Sequence, residues 1–404
     1  MTGHPRARRS GFAALVAILA LALAACDSHV PNTIFGAHSQ FGHQVDDLTM
    51  GMVYAGAAVF VFVEAALIFA IFKFRYRPGN TKAVQSHGNT KLEIAWTFIP
   101  AVILAFIAVP TVRMIFLTQA PAPAGALEVE VIGHQWWWEF RYPEYKIVTA
   151  NELYLPVGRP VTFSLRTNDV LHSFWIPQLN GKRDLISNHT NHIWFTPDSI
   201  GAYNGFCAEF CGTSHANMRF KAFAVSKEQF ADWAAHEQTG PNFPAPVDTT
   251  TPPKAAKGAK GAPAVAAVPT LPAAMLTTGT WPQDKLPQWI VPATPTPHEL
   301  ADPMSGDAAR GAAFFKTAPC IACHTVQGVS AGVIGPNLTH VGSRTSIGAG
   351  LYPNDPAHLM AWIKDAPMMK PGSQMMALGS GFMPAGGLTD QQIADLAAYL
   401  TALK

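Results

Sequence analysis

The sequence predicts a multidomain chain: a transmembrane hairpin of two helices, an all-β sandwich or barrel, and a third ordered domain beyond a linker. Three observations carry this expectation. Two apolar segments of bilayer-spanning length stand near the N-terminus, strand-like alternation takes over at Leu127, and a Pro/Ala/Lys-rich stretch precedes a helical C-terminal segment. The 404 residues are enough for two or three separate cores. Hydrophobic residues make up 49% and charged residues only 13%, so part of the chain lies out of water. A net charge of +2 without a basic run argues against nucleic acid as a partner.

Residues 1–25 have the form of an export signal. Arg6, Arg8 and Arg9 precede an apolar run from Phe12 to Ala25 that is too short to cross a bilayer. The run ends in LAAC, which is similar to the lipobox of bacterial lipoproteins and makes Cys26 the candidate lipid acceptor.

Within 26–118, Leu48–Phe72 and Ile94–Leu117 each reach the ~20 residues that a spanning helix needs. The intervening loop carries Lys73, Arg75, Arg77, Lys82 and Lys91, which places it in the cytoplasm and both flanks outside. A lipidated Cys26 requires the same orientation. Pro100 and Pro110 interrupt the second span, where neighbouring helices can absorb the lost backbone bonds. Glu64 lies inside the first span and Glu93 at the start of the second. An intramembrane carboxylate faces protein or water and marks a functional position, or it is protonated at a helix contact. For Glu64 both readings stand.

From residue 119 to 238 the pattern is that of β-structure. EVEVIGHQWWWEFRY and RPVTFSLRTNDV each read as a strand with period-two apolar positions, and short strands continue to about Val225. The stretch NGFCAEFCGTSHANM then gathers Cys207, Cys211, His215 and Met218. The two cysteines are four apart, unlike the CxxC of a zinc ribbon. Thiolate, imidazole and thioether together select copper, since copper(I) is soft and accepts methionine. Two thiolates in one loop can bridge a pair of coppers. His172, in NDVLHSFW, is the best candidate for a second histidine, whereas His189 and His192 read as polar surface residues.

Residues 239–301 form a linker of extended character, within which WPQDKLPQWIVP could dock locally. Order returns over 302–404. A capped helix in SGDAARGAAFFK leads into CIACH, the covalent attachment signature of a c-type haem: Cys320 and Cys323 form thioethers and His324 binds iron. GPNL, KPGSQM and LTDQQIADLAAYL follow. The last opens with a Thr389/Gln392 capping box and puts Ile393, Leu396, Ala397 and Leu400 on one face. All five cysteines thus fall in motifs, leaving none for a disulfide framework.

HQWWWEF, DVLHSF and CAEFCGTSHANM, behind two spans and EIAWTFIP, resemble subunit II of haem–copper cytochrome c oxidases over roughly residues 35 to 235. The C-terminal segment resembles a class I cytochrome c, the combination found in caa-type oxidases. The resemblance implies an all-β cupredoxin-like barrel holding a binuclear CuA centre, and an all-α class I cytochrome c domain holding haem c. It implies as copper ligands His172, Cys207, Cys211, His215, Met218 and the backbone carbonyl of Glu209. The Glu209 carboxylate would reach a magnesium ion shared with subunit I. Trp136 matches the aromatic residue through which electrons enter CuA, and Glu93 the carboxylate at the mouth of a proton pathway into subunit I. Pro336 would support the haem-binding histidine. Met375 fits the KPGxxM pattern for the distal iron ligand, with Met383 and Met376 as alternatives.

The implied function is electron entry into a respiratory oxidase. Electrons pass from a soluble or membrane cytochrome c to haem c, then to CuA, then to subunit I, where oxygen is reduced to water with proton pumping. Subunit III and membrane lipid are further expected partners. The location is the bacterial cell membrane, with both metal domains on the periplasmic or outer side. The rivals are the CuA subunit of a nitric oxide reductase and a membrane copper-binding protein without enzymatic role. A quinol oxidase subunit is disfavoured, because that branch lacks the copper ligands present in this chain.

Overall fold

The computed structural model describes residues 32–76, 87–241, 281, 304–379 and 387–404. The expected signal segment, Cys26, Arg77, Lys82, Met383 and all of the expected linker between 242 and 303 except Trp281 lie outside the described residues.

Two helices, α1 (Gln40–Phe74) and α2 (Thr90–Gln119), are long and apolar enough to cross a membrane. Their 35 and 30 residues overrun the predicted segments at both ends. At about 1.5 Å per residue they also exceed the ~30 Å hydrocarbon core, so their ends project beyond it. Phe60, Phe62, Phe106 and Phe116 are exposed along their flanks, as lipid- or partner-facing residues are. Glu64 is half-buried in α1; Glu93 is exposed in the first turn of α2, where the Asn89 side chain caps the helix. The far ends of both helices are tied to one β domain. The Thr196 N–H donates to Gln40 Oε1 at 2.7 Å, His43 meets Asp198 at 2.8 Å, and the Trp194 indole donates to the Ala120 carbonyl at 2.7 Å. The start of α1 and the end of α2 therefore lie on one side, as a hairpin requires.

The β domain is a sandwich of two five-stranded sheets. One has the order β3 (Ile147–Ala150), β2 (Trp137–Tyr142), β1 (Leu127–His134), β5 (Val161–Thr167), β8 (Asn191–Phe195). The other runs β4 (Glu152–Pro156), β10 (Arg219–Val225), β9 (Gly201–Cys207), β6 (His172–Trp175), β7 (Arg183–Leu185). Alternation along β1 sends Leu127, Val129 and Val131 inward. Aromatic pairs join the two sheets, with Phe140 and Phe220 at 5.4 Å and Phe163 and Phe174 at 5.4 Å between ring centroids.

Two strand expectations need correction. EVEVIGHQWWWEFRY is not one strand but a hairpin of β1 and β2, pairing His134 with Trp137 across a tight turn at Gln135–Trp136. The alternation continues through the turn, so periodicity alone did not reveal it. The strand in RPVTFSLRTNDV stops at Thr167, where Asp169 turns the chain by hydrogen bonds with Thr167 and the Val170 N–H. Helix α3 (Lys227–Glu237) closes the domain behind a Ser226/Gln229 capping box. From the linker, Trp281 is buried in the sandwich core, its ring 5.3 Å from Phe223, and its backbone N–H donates to the Tyr154 hydroxyl at 2.8 Å. The local docking left open for WPQDK is real at this residue.

The C-terminal domain packs α4 (Ala308–Phe315), α5 (Cys320–Cys323), α6 (Pro356–Lys364), α7 (Ala366–Met369) and α8 (Asp390–Ala402) around its own core. The Thr389/Gln392 capping box is present, and Ile393, Leu396, Ala397 and Leu400 are buried. Helix α4 crosses α8 closely because Gly311 has no side chain: a Cβ there would lie 2.0 Å from the Asp395 carbonyl oxygen. Arg310 grips Asp395 at 2.7 and 2.8 Å, which holds that carboxyl down at about 2. Two ladders of two residues per strand, at Thr325–Val326 with Ser330–Ala331 and Ser346–Ile347 with Tyr352–Pro353, supplement the expected all-α content.

Candidate metal centre

Strand β9 ends at Cys207, and the chain loops through Cys211 and His215 before Met218 leads into β10. Beside β9 runs β6, with Phe174 in register with Cys207, so His172 at the start of β6 reaches the same corner. The room for its ring is made by Gly133 on the opposite sheet, where a Cβ would lie 2.7 Å from His172 Cδ2. The sandwich thus holds one histidine rigidly while the loop supplies the remaining groups.

The donor atoms converge. Sγ of Cys207 and Sγ of Cys211 are 3.7 Å apart and form no disulfide. His172 Nδ1 is 3.7 Å from Cys207 Sγ, and His215 Nδ1 is 3.6 Å from Cys211 Sγ. Met218 Sδ lies 3.9 Å from Cys211 Sγ, and the Glu209 carbonyl oxygen 3.2 Å from Cys207 Sγ. His172 and Met218 are fully buried, and Cys207 and Cys211 nearly so. All six expected ligand groups come together. The donor atoms of His172, Cys207 and Cys211 lie within 4.8 Å of one another, close enough to hold a metal ion.

Electrostatics favours one thiolate, at Cys207. The hydrogen bond that the two thiol groups share holds Cys207 well below the ordinary thiol range and, with burial, pushes Cys211 well above it. Burial pulls the His172 imidazole down, but hydrogen bonds to Asp169 and Cys207 outweigh it and leave it raised. His172 Nε2 contacts Asp169 Oδ1 at 2.7 Å, which fixes the ring so that Nδ1 faces the sulfurs.

Apart from Trp136 and Glu209, the surrounding groups were not evident from the motifs. Trp136, the expected entry residue, is half-buried, and its indole N–H donates to the Cys211 carbonyl at 3.0 Å; Gln135 Nε2 donates to the same oxygen at 2.7 Å. Gly212 adopts φ +111° with the Trp136 ring 3.1 Å from where a Cβ would stand, so only glycine fits. Trp138 lies beneath the site, 6.1 Å from the His172 ring. Asp169 sits three residues before His172 in NDVLH, a spacing that could have flagged it. The Glu209 carboxylate is exposed at the loop surface, and Glu93 is far along the chain at the other end of α2.

In the C-terminal domain, Cys320, Cys323 and His324 occupy α5 and its end, and neither cysteine is in a disulfide. His324 Nδ1 meets the Pro336 carbonyl at 2.8 Å, which leaves Nε2 for iron. Gly335 lets the ring in: a Cβ there would be 2.6 Å from His324 Cε1. Met375 packs against the domain core, whereas Met376 is 59% exposed. These residues fit a covalently held haem.

A β sandwich with a two-sulfur, two-imidazole, one-thioether cluster, anchored by two membrane helices and followed by a CxxCH domain, defines a membrane-bound electron-transfer protein of the cupredoxin and c-cytochrome classes. Family models agree. That for the cytochrome c oxidase subunit II transmembrane domain matches residues 33–114, that for its periplasmic domain 146–225, and that for cytochrome c 308–404. Cytochrome c oxidase subunit 2 of Alkalihalophilus pseudofirmus is 31% identical over 354 residues, covering 86% of this chain and 84% of that one. The corresponding protein of Bacillus subtilis is 30% identical over 410 residues, covering 96% of each. The periplasmic domain of the Bradyrhizobium japonicum oxidase subunit II aligns at 28% identity over 29% of this chain and 96% of that one, with a TM-score of 0.28. The chain belongs to the cytochrome c oxidase subunit 2 family, with a fused cytochrome c domain.

Proposed function

We propose that residues 119–238 hold a binuclear copper centre and residues 302–404 a covalent haem, and that the two act in series as the electron entrance of a haem–copper oxidase. The haem and the copper pair supply one-electron redox chemistry; the chain supplies position. Cys207, Cys211, His172, His215, Met218 and the Glu209 carbonyl would hold the copper centre. Asp169 orients His172. Cys320 and Cys323 would hold the haem and His324 and Met375 would bind its iron, with the Pro336 carbonyl setting the His324 tautomer.

The single observation that carries this is the convergence of both thiols, both imidazoles and the thioether in one buried corner. Rigid ligands keep geometry change small on electron transfer, and a donor set supplied wholly by protein suits relay rather than substrate chemistry. The exposed Glu209 carboxylate is the candidate ligand for magnesium at the contact with subunit I. Glu93 is the candidate mouth of the proton pathway. Subunit III and lipid are further neighbours, and the metal domains face the periplasmic or outer side of the membrane.

Metal and pigment analysis of the purified holoprotein tests this. Two coppers per chain and one haem that resists acid–organic extraction are expected. Zinc, a single copper, or an extractable haem would overturn the assignment.

A further inference from the structure

The haem domain is seated on the copper domain through groups that are out of water. On β4 and β10 of the copper domain, Glu152 and Lys221 stand in register as neighbours. Both are at the sheet surface facing the haem domain, yet they are only 3% and 1% exposed. Thr345 of the haem domain meets both. Its N–H and its hydroxyl donate to Glu152 Oε1 at 2.7 and 2.5 Å, and its oxygen accepts from Lys221 Nζ at 3.3 Å. Some distance away, His340 contacts the Thr239 carbonyl at 3.0 Å, and its ring lies 4.8 Å from His236.

A second contact lies over the copper loop. The buried Lys370 ammonium donates to the Trp136 carbonyl at 2.5 Å and to the Gly348 carbonyl at 3.2 Å. The Ser214 hydroxyl, in the loop between Cys211 and His215, donates to the Pro371 carbonyl. Gly372, at φ +80°, lies flat on the Trp136 indole: a Cβ there would be 2.8 Å from the ring and 3.2 Å from Thr213 Cβ. The turn that leads to Met375 therefore covers the tryptophan that leads to Cys211.

Transient electron-transfer encounters are small and wet, and leave charges solvated. Burying a carboxylate and an ammonium costs several kcal/mol per ion unless their remaining hydrogen bonds are met. Here one threonine gives Glu152 two hydrogen bonds and Lys221 one. Such a socket is uneconomical for a fleeting collision and suited to lasting contact.

We propose that the haem domain is a resident cap, locked by the Glu152–Thr345–Lys221 socket and the Ser214/Trp136–Lys370 clamp, and that it closes Trp136 to any separate donor protein. The proposal rests on the reading of haem and copper as successive carriers. It makes the haem domain the only entrance for electrons from outside.

The test uses the full-length holoprotein with a protease site placed between residues 282 and 303. After cleavage and gel filtration in detergent at about micromolar concentration, the haem is expected to remain with the copper-bearing fragment. Thr345→Asp sets a second carboxylate against Glu152 and is expected to weaken retention at least about tenfold while the haem spectrum stays unchanged. Release of the wild-type haem domain on cleavage would overturn the lock. On rapid mixing with a reduced soluble cytochrome c, the intact chain is expected to reduce its haem before its copper, and the cleaved, released Thr345→Asp protein to reduce copper directly. Copper reduced ahead of haem in the intact chain would overturn the closure of Trp136. A cap that stays bound but passes no electron to copper would instead defeat the carrier reading on which the closure rests.

Discussion

The carbonyl oxygen of Cys211 accepts two hydrogen bonds, from Trp136 Nε1 at 3.0 Å and from Gln135 Nε2 at 2.7 Å. The β1–β2 turn is thereby fastened to the Cys207–Met218 loop at a proposed ligand residue. Either donor alone satisfies the oxygen, so Gln135→Ala or Trp136→Phe is expected to cost no more than about 1 kcal/mol in hydrogen bonding. Together they leave the carbonyl unpaired, and the cost rises to about 1–3 kcal/mol, more than the sum of the singles. Denaturant unfolding of the four proteins measures this coupling.

Asp169 holds the His172 ring from the side away from the sulfurs. Asp169→Ala leaves the imidazole free to change tautomer and tilt. Copper affinity is expected to fall about 10–100-fold, the range for groups that orient a metal-binding histidine. Competition with a copper chelator reads the change directly.

Gly133 is the space His172 occupies. With Gly133→Ala the new methyl would fall 2.7 Å from His172 Cδ2 and 3.2 Å from Leu185. Overpacking of this kind costs about 1–3 kcal/mol, and the ring is expected to yield first, because the methyl meets it more closely. Reduced copper content with a melting temperature lowered by a few degrees is the expected result, followed by copper analysis and calorimetry.

Met375 lies against the haem-domain core and Met376 faces out. Met375→Ala is expected to lower the haem potential by on the order of 0.1 V or more, within the ~0.8 V that axial ligands span. Met376→Ala is expected to leave it unchanged. Redox titration of the haem band distinguishes them, and the opposite pattern would reassign the ligand.

His340 makes seating of the haem domain sensitive to acid. Burial first, then the neighbouring His236, hold its imidazole down at about 4; the Thr239 carbonyl opposes them, and Arg344 adds a smaller downward push. A released domain would return it towards about 6.5. The seated form thus binds fewer protons between those values, so its stability is intact above about pH 6.5 and is lost as pH falls towards 4. Retention of the cleaved haem domain, measured across this range, is expected to decline with acid, and His340→Gln to flatten the decline.

Much of the site was legible because its chemistry is local. Cys207, Cys211, His215 and Met218 occupy one loop, and CIACH one turn, so spacing alone exposes them. His172 was identifiable because a strand end and a missing histidine coincided. The two spans and the Thr389/Gln392 cap were likewise written in short windows. The hairpin at Gln135–Trp136 was hidden because both its arms keep the same alternation. The socket of Glu152, Lys221 and Thr345 was hidden for a different reason: its members are scattered across two domains, and each alone reads as an ordinary surface residue. Trp281 was similarly ambiguous, because one aromatic in a proline-rich stretch carries no period.

That tryptophan sets a limit on travel. Measured from Pro241, the chain to Met304 has a contour of about 220 Å at ~3.5 Å per residue; measured from Trp281, pinned in the sandwich, it is about 80 Å. A haem domain that came loose would still be leashed within that shorter radius. It would fall back on the oxidase it left far more readily than it could serve a neighbour, so each complex owns its pigment.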